Sequence, residues 1–163
     1  YYQINYRSYA AGTQVKSFTL DQLKAAKALV AETGAKMLNP RRTEESLLLI
    51  EQENIVLEPG KSITVKLTGN RAIKEMTMNL LAADQQQALR STVLEISFDD
   101  KQTVWCPVGQ FYGIGYQYFE HQTFFTSVDA DGTMSAFWSM PFSTKAEIKI
   151  HNLGNQVVLF PKI

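Results

Sequence analysis

The sequence predicts a mostly β protein, an antiparallel jelly-roll β-sandwich with one α-helix near the N-terminus. Three observations carry that expectation. Most runs beyond residue 46 alternate apolar and polar side chains with a period of two, as half-buried strands do. Turn signals such as Glu58-Pro59-Gly60-Lys61 and Asp129-Ala130-Asp131-Gly132 separate these runs at short intervals. The strongest helix-start signal stands near the N-terminus.

Taken in order, "YYQINYRSYA" reads as a strand with Tyr2, Ile4 and Tyr6 on one side. Thr19 and Gln22 then form a capping-box pattern, with Phe18 and Leu23 at the hydrophobic-staple positions. Leu20, Leu23, Ala26 and Val30 give the apolar stripe of a helix over residues 20–33, which Gly34 is expected to stop. "LNPRRTEES" is a polar link. "LLLIEQENIVL" is a strand pair or one long bent strand, and "SITVKLTG" alternates Ile63, Val65 and Leu67. "EMTMNLLA" alternates Met76, Met78 and Leu80, and "DQQQALRS" fits a helical turn capped by Asp84. "STVLEISFDD" alternates Leu94, Ile96 and Phe98 into a turn at Asp99-Asp100. "TFFTSV" and "MSAFWSM" flank a hairpin turn at Asp131-Gly132, and "AEIKIHN" and "NQVVLF" supply the last strands. Roughly nine or ten short strands result.

This organisation assigns residues 1–45 to a terminal strand of a preceding domain, a helix and a linker, and residues 46–163 to the jelly roll. The chain opens at Tyr1 and closes in "VVLFPKI", both strand-like, so it is expected to be a piece of a longer protein. Sixteen basic and sixteen acidic residues cancel, which leaves no electrostatic footprint for nucleic acid. Apolar runs such as Leu47 to Ile50 are too short to cross a bilayer.

Catalytic and metal signals are sparse. Cys106 precedes Pro107 among apolar residues and reads as a small core filler. His121 and His151 belong to no spaced ligand set, so no metal site and no cofactor is expected. "DADGT" echoes the start of a calcium loop, but a strand follows where further ligands would be needed, and a hairpin turn accounts for it better. "GIG" at Gly113–Gly115 continues into "YQYF" and has no third glycine, so it is a bend and not a dinucleotide fingerprint. Glu75, Glu95, Asp99 and Glu120 are the carboxylates available for two-carboxylate chemistry, and sequence brings no two of them together.

The densest feature is aromatic. "VWCPVGQFYGIGYQYF", Val104 to Phe119, reads as strand, bend and strand, with inward rings in the core. Alternation cannot bury both Phe124 and Phe125, nor both Phe137 and Trp138, on one inner face. Some rings must therefore face outward, towards a partner subunit, a sister domain or a sugar. Trp105, Gln110, Phe111, Tyr112, Tyr116 and Trp138 are the candidate ligand or interface residues.

"LEISFDDKQTVWCPVGQFYGIG", "MSAFWSMPFSTKAEIKIHNLGNQ" and the opening "YYQINYRSY" resemble segments of the bacterial domain-of-unknown-function family 2961, associated with glycoside hydrolase family 172. The strings "PVGxFxGxG" (Pro107 to Gly115) and "MPFxxxAxIxxxN" (Met140 to Asn152) carry the resemblance together. It implies a protein of two jelly rolls that assembles into trimers or larger rings and acts on furanosides by a retaining two-carboxylate mechanism. The catalytic glutamates of that family lie in strings like "WGEGDE" and "GTGTEDY", neither of which occurs here, and Gln110 stands where the family commonly has Asp. No catalytic residue is therefore transferred. In shorter members the "YYQINYR"-like string follows the "MPF" string, which here comes later. The resemblance thus implies a non-catalytic or site-completing jelly roll, whose partners are a sister jelly roll, further copies of itself and a furanose-containing carbohydrate. The rival readings are a carbohydrate-binding module using Tyr112, Tyr116 or Trp138, and a catalytic fragment completed by another subunit, with Glu75, Glu95 or Glu120 as one acid. For a glycan-active protein the expected compartment is secreted or periplasmic.

Overall fold

The computed structural model describes residues 3–38 and 48–163. The chain divides into two compact units, Tyr1–Ala35 and Lys36–Ile163.

The first unit contains the start of the helical segment. Thr19 caps α1 (Leu20–Ala25): its hydroxyl accepts from the Gln22 N–H, and the Gln22 side chain accepts from the Thr19 N–H at 2.8 Å. This is the capping box read from the sequence. After a break at Ala26 the helix resumes as α2 (Lys27–Leu38), four residues beyond the stop expected at Gly34. Gly34 costs a helix only about 1 kcal/mol relative to alanine, and Ala35, Lys36, Met37 and Leu38 all favour helix. Neither helix contains a buried residue. Residues 3–10 form no strand, contrary to the expected one, and Ile4 and Tyr6 are exposed. A strand is defined by its partner, and no strand pairs with them among the described residues. Tyr2, residues 39–46 of the polar link and the boundary at 45/46 lie outside the described residues.

The second unit is mostly antiparallel β. One sheet has six strands in the order β1 (Glu53–Leu57), β12 (Val158–Lys162), β4 (Met76–Leu81), β9 (Met134–Ala136), β8 (Thr126–Val128) and β7 (His121–Gln122). A second has four, β2 (Ser62–Thr68), β11 (Lys145–Asn152), β5 (Thr92–Phe98) and β6 (Lys101–Pro107). A ribbon of β3 (Arg71–Ile73) and β10 (Met140–Phe142) lies beside them in sequence. The chain crosses from one large sheet to the other between β1 and β2, β4 and β5, β6 and β7, and β11 and β12, whereas β5–β6 and β7–β8–β9 follow one another within a sheet. Residues from both sheets, including Leu57, Met78, Leu80 and Phe160 from one and Leu94, Ile96 and Ile150 from the other, share one buried cluster, so the sheets form a sandwich. Ile73, Phe142 and Ala146 make a smaller second cluster, with Phe142 stacked on Phe98.

Local chemistry fixes several junctions. Pro161 has no N–H to donate, and the pairing of β12 with β4 is irregular between Leu159 and Lys162. Asp99 and Asp100 take positive φ (48° and 68°), turning β5 tightly into β6. Asp84 caps the short α3 (Gln85–Ser91) by accepting from the Gln87 N–H at 3.0 Å. Of the strand pair or one long bent strand expected across residues 47–57, only β1 forms among the described residues, with residues 48–52 outside it. The second strand expected after the aromatic bend is also absent. Pro107 instead starts a single helical turn, α4 (Val108–Phe111), followed by turns and then irregular chain to residue 120.

Candidate functional site

The glycines of "PVGxFxGxG" hold the aromatic segment together. A Cβ on Gly109 would stand 1.9 Å from the Gly115 carbonyl oxygen, so only glycine admits this approach. The Gly109 carbonyl accepts from both the Ile114 and Gly115 N–H groups at 2.8 Å. Gly113 and Gly115 supply the positive φ angles that fold the chain back.

The six candidate residues separate accordingly. Tyr112 is fully buried, packed edge-on against the half-buried Phe111 at 5.3 Å, and presents no surface. Among the described residues its hydroxyl has no hydrogen-bond partner, and burial pushes its pKa up. Gln110 is exposed in α4 and Tyr116 in the turn that follows it. Trp138 is partly exposed and stacks flat on Phe125 at 4.4 Å, with Phe124 edge-on to Phe125 at 5.0 Å. Alternation required outward rings at these two places, and they are Phe125 and Trp138. Trp105 is 53% exposed on the outer face of the four-stranded sheet.

Around Trp105 lies a constellation that the sequence did not reveal. Cross-strand register places Lys149 opposite Thr64, Glu95 opposite Lys149, and Trp105 opposite Glu95, one row across β2, β11, β5 and β6. His151 reaches diagonally to the Glu95 carboxylate, Nε2 to Oε2 at 2.7 Å, and its ring lies 5.2 Å from the Trp105 ring. Lys149 stands 4.0 Å from Glu95 and 3.3 Å from Glu147, and Lys66 stands 3.4 Å from Glu147. Lys149, followed by Lys66, holds the Glu147 carboxyl below its ordinary value.

The outer face of the six-stranded sheet is different. Val56 pairs with Leu159, and Leu159 with Leu81, so three exposed aliphatic side chains stand side by side across β1, β12 and β4. Beside Leu81 opens a shallow cleft of about 470 Å³, lined by Asn79, Tyr118, Phe119, Glu120, Asp129 and Asp131 among others. The Tyr118 hydroxyl donates to the Leu80 carbonyl, and burial raises its pKa.

The carboxylates singled out by sequence are dispersed. Glu75 is exposed at the start of β4, Glu95 is paired on the four-stranded sheet, and Glu120 lines the cleft on the six-stranded side. Asp99 is a turn clamp: it accepts from the N–H groups of Ser143, Thr144 and Lys145 and from the Thr144 hydroxyl, at 2.7–3.1 Å. These donors, the Ser143 N–H foremost, hold its carboxyl well below the usual carboxylate range. Among the described residues no three potential metal ligands cluster.

In comparisons with known proteins, a family model described as GH172 domain-like matches residues 48–161. No curated protein matches the chain.

Proposed function

Because the chain belongs to the GH172 domain-like family, and is thus a glycoside hydrolase-related domain, we propose that its jelly roll acts as a scaffold and contact domain. Catalytic carboxylates then come from another segment, and this domain meets a sister jelly roll and further copies of itself. The observation that carries this reading is the aliphatic row Val56–Leu159–Leu81 on an outer sheet face, where alternation would normally put polar side chains. The N-terminal unit supports it: Ile4, Tyr6, Tyr9 and Phe18 are exposed, and a helical segment without a buried residue gains little stability by itself. Covering both surfaces accounts for an apolar excess that water alone would disfavour.

Light scattering over a concentration series, run beside a furanosidase assay, tests the reading. The chain should self-associate without turning over furanosides. Leu159→Asp should release monomers while leaving the melting temperature of the body nearly unchanged, because Leu159 is not in the core. A chain that stays monomeric at every concentration argues against the contact role, and so does turnover by the chain alone that Glu120→Gln abolishes. That second outcome favours the site-completing reading, which the cleft carrying Glu120 beside Tyr118 makes specific.

A further inference from the structure

The polar side chains nearest Trp105 are held down on an outer sheet face where extended, solvated ones would be expected. Glu95, His151 and Lys149 expose only 19%, 20% and 28% of their side chains, whereas Lys66, farther from the indole, exposes 72%. Keeping polar and ionised groups from water costs free energy that pairing only partly offsets, and such local costs concentrate where a protein binds something. The pairing is also incomplete. Glu95 commits Oε2 to His151 and Lys149, while its other oxygen makes no hydrogen bond within the described residues. At 4.0 Å, Lys149 is too far from Glu95 to be a hydrogen bond, so the ammonium keeps donors to offer. The half-exposed indole of Trp105 lies on the adjacent strand, directly opposite Glu95 in the register.

We infer that the outer face of the four-stranded sheet is a binding site for a short neutral carbohydrate lying across the strands, with Trp105 as platform and Glu95 and Lys149 as acceptor and donor. The chemistry of the row selects this ligand class. Glu95 and Lys149 cancel, as do Glu147 and Lys66, so the face gives no net attraction to an anion or a cation. A sugar ring offers an apolar C–H face that packs on an indole, and hydroxyls that both donate and accept, matching an unpartnered carboxylate oxygen beside an ammonium. The row spans four strands, about 14 Å at the usual strand spacing, so several rings are engaged and not one. Because the polar groups are fixed by each other before binding, little ordering cost opposes the ligand. This site is independent of the contact surface on the opposite sheet.

The test is a fluorescence titration of the full chain carrying Trp138→Phe, which leaves Trp105 as the only indole. The probes are the neutral trisaccharides 1-kestose, arabinotriose and maltotriose, with trigalacturonate and trilysine as charged comparisons. At least one neutral trisaccharide should shift the Trp105 emission saturably, and the matching monosaccharide should bind more weakly. Glu95→Gln should weaken binding about tenfold, since a charge-assisted hydrogen bond becomes a neutral one. Trp105→Ala, followed by calorimetry, should abolish it. Should that variant fold poorly, Trp105→Phe keeps a ring and should bind measurably but more weakly. The inference is overturned by the absence of a saturable change with all three neutral probes, by tighter binding of either charged probe, or by binding that survives both Trp105→Ala and Glu95→Gln.

Discussion

Asn152 ends the "MPFxxxAxIxxxN" string, and its replacement is the sharpest test of what that string is for. The residue is fully buried at the end of β11. Its side-chain amide donates to the Leu57 carbonyl at 2.9 Å and to the Gln156 carbonyl at 2.7 Å, and its side-chain oxygen accepts from the Gly154 N–H at 3.0 Å. One amide thus ties the end of β1 to the turn that leads into β12. In Asn152→Ala the Leu57 carbonyl is left buried and unpaired, a loss of about 2 kcal/mol. The two part-buried bonds can be replaced in part by water and contribute about 1 kcal/mol each. The expected total is about 4 kcal/mol, a large share of the 5–15 kcal/mol typical of a domain. In a domain of this size that corresponds to a melting point lower by about 8–16 °C. Urea unfolding should show a lower midpoint with an unchanged slope. Asn152→Asp separates hydrogen bonding from cavity formation, because it is nearly isosteric yet offers a carboxylate to two carbonyl oxygens. At pH 7 it should be less stable than Asn152→Ala, since a buried unpaired charge costs more than a missing amide. A loss below about 1 kcal/mol in the alanine variant, or an aspartate variant as stable as the parent, would refute the staple argument.

Three further perturbations bear on the same architecture. Gly109→Ala forces a methyl against the Gly115 carbonyl oxygen, a backbone atom that no side-chain rotation can move, and should cost about 3 kcal/mol in chemical denaturation; a neutral result would mean the turn relaxes freely. Tyr112→Phe removes a buried hydroxyl without a partner among the described residues and should raise stability by about 1 kcal/mol, whereas a loss of that size in the thermal melt would show that the hydroxyl is bonded. Asp99 has a depressed carboxyl pKa in the folded state, so its contribution is fully present above the unfolded value of about 3.9 and is lost as pH falls below it. Asp99→Asn should therefore flatten the fall of the urea midpoint between about pH 4 and pH 2, and equal slopes for parent and variant would contradict the clamp.

What the sequence discloses depends on the range of the interaction. The alternations in β2, β4, β5 and β11 appear in the structure because a strand's period is written in adjacent residues. The Thr19 and Asp84 caps are equally local. The single turn α4 has no period to detect, and the alternating rings of "FYGIGYQYF" imitate a strand although positive-φ glycines break it. The apparent strand at residues 3–10 has suitable alternation but no partner among the described residues, and pairing is not visible in one segment alone. The Trp105 row was invisible for a different reason. Glu95 and His151 are 56 residues apart, and their contact depends on the β5–β11 register and on a diagonal across it. The neighbouring β5–β6 register shifts between Ile96 and Ser97, so counting from the Asp99-Asp100 turn would not have placed Trp105 opposite Glu95.

The residues that carry the family resemblance therefore speak to shape and not to reaction. Gly109, Gly113 and Gly115 permit a close approach and two left-handed turns, and Asn152 joins β1 to the turn before β12. None of them brings a nucleophile or an acid to a substrate. A family match resting on such positions establishes the body of the fold, while function resides in surfaces that can vary on it. Here the two outer faces have diverged, one carrying a bare aliphatic row and the other a paired polar row around an indole. An aliphatic row is stabilised by a partner that excludes water, and a preorganised polar row by a ligand that supplies hydrogen bonds. The two proposed roles sit on different faces, so separate substitutions test them. Leu159→Asp should alter assembly without affecting the Trp105 fluorescence titration, and Glu95→Gln should do the reverse.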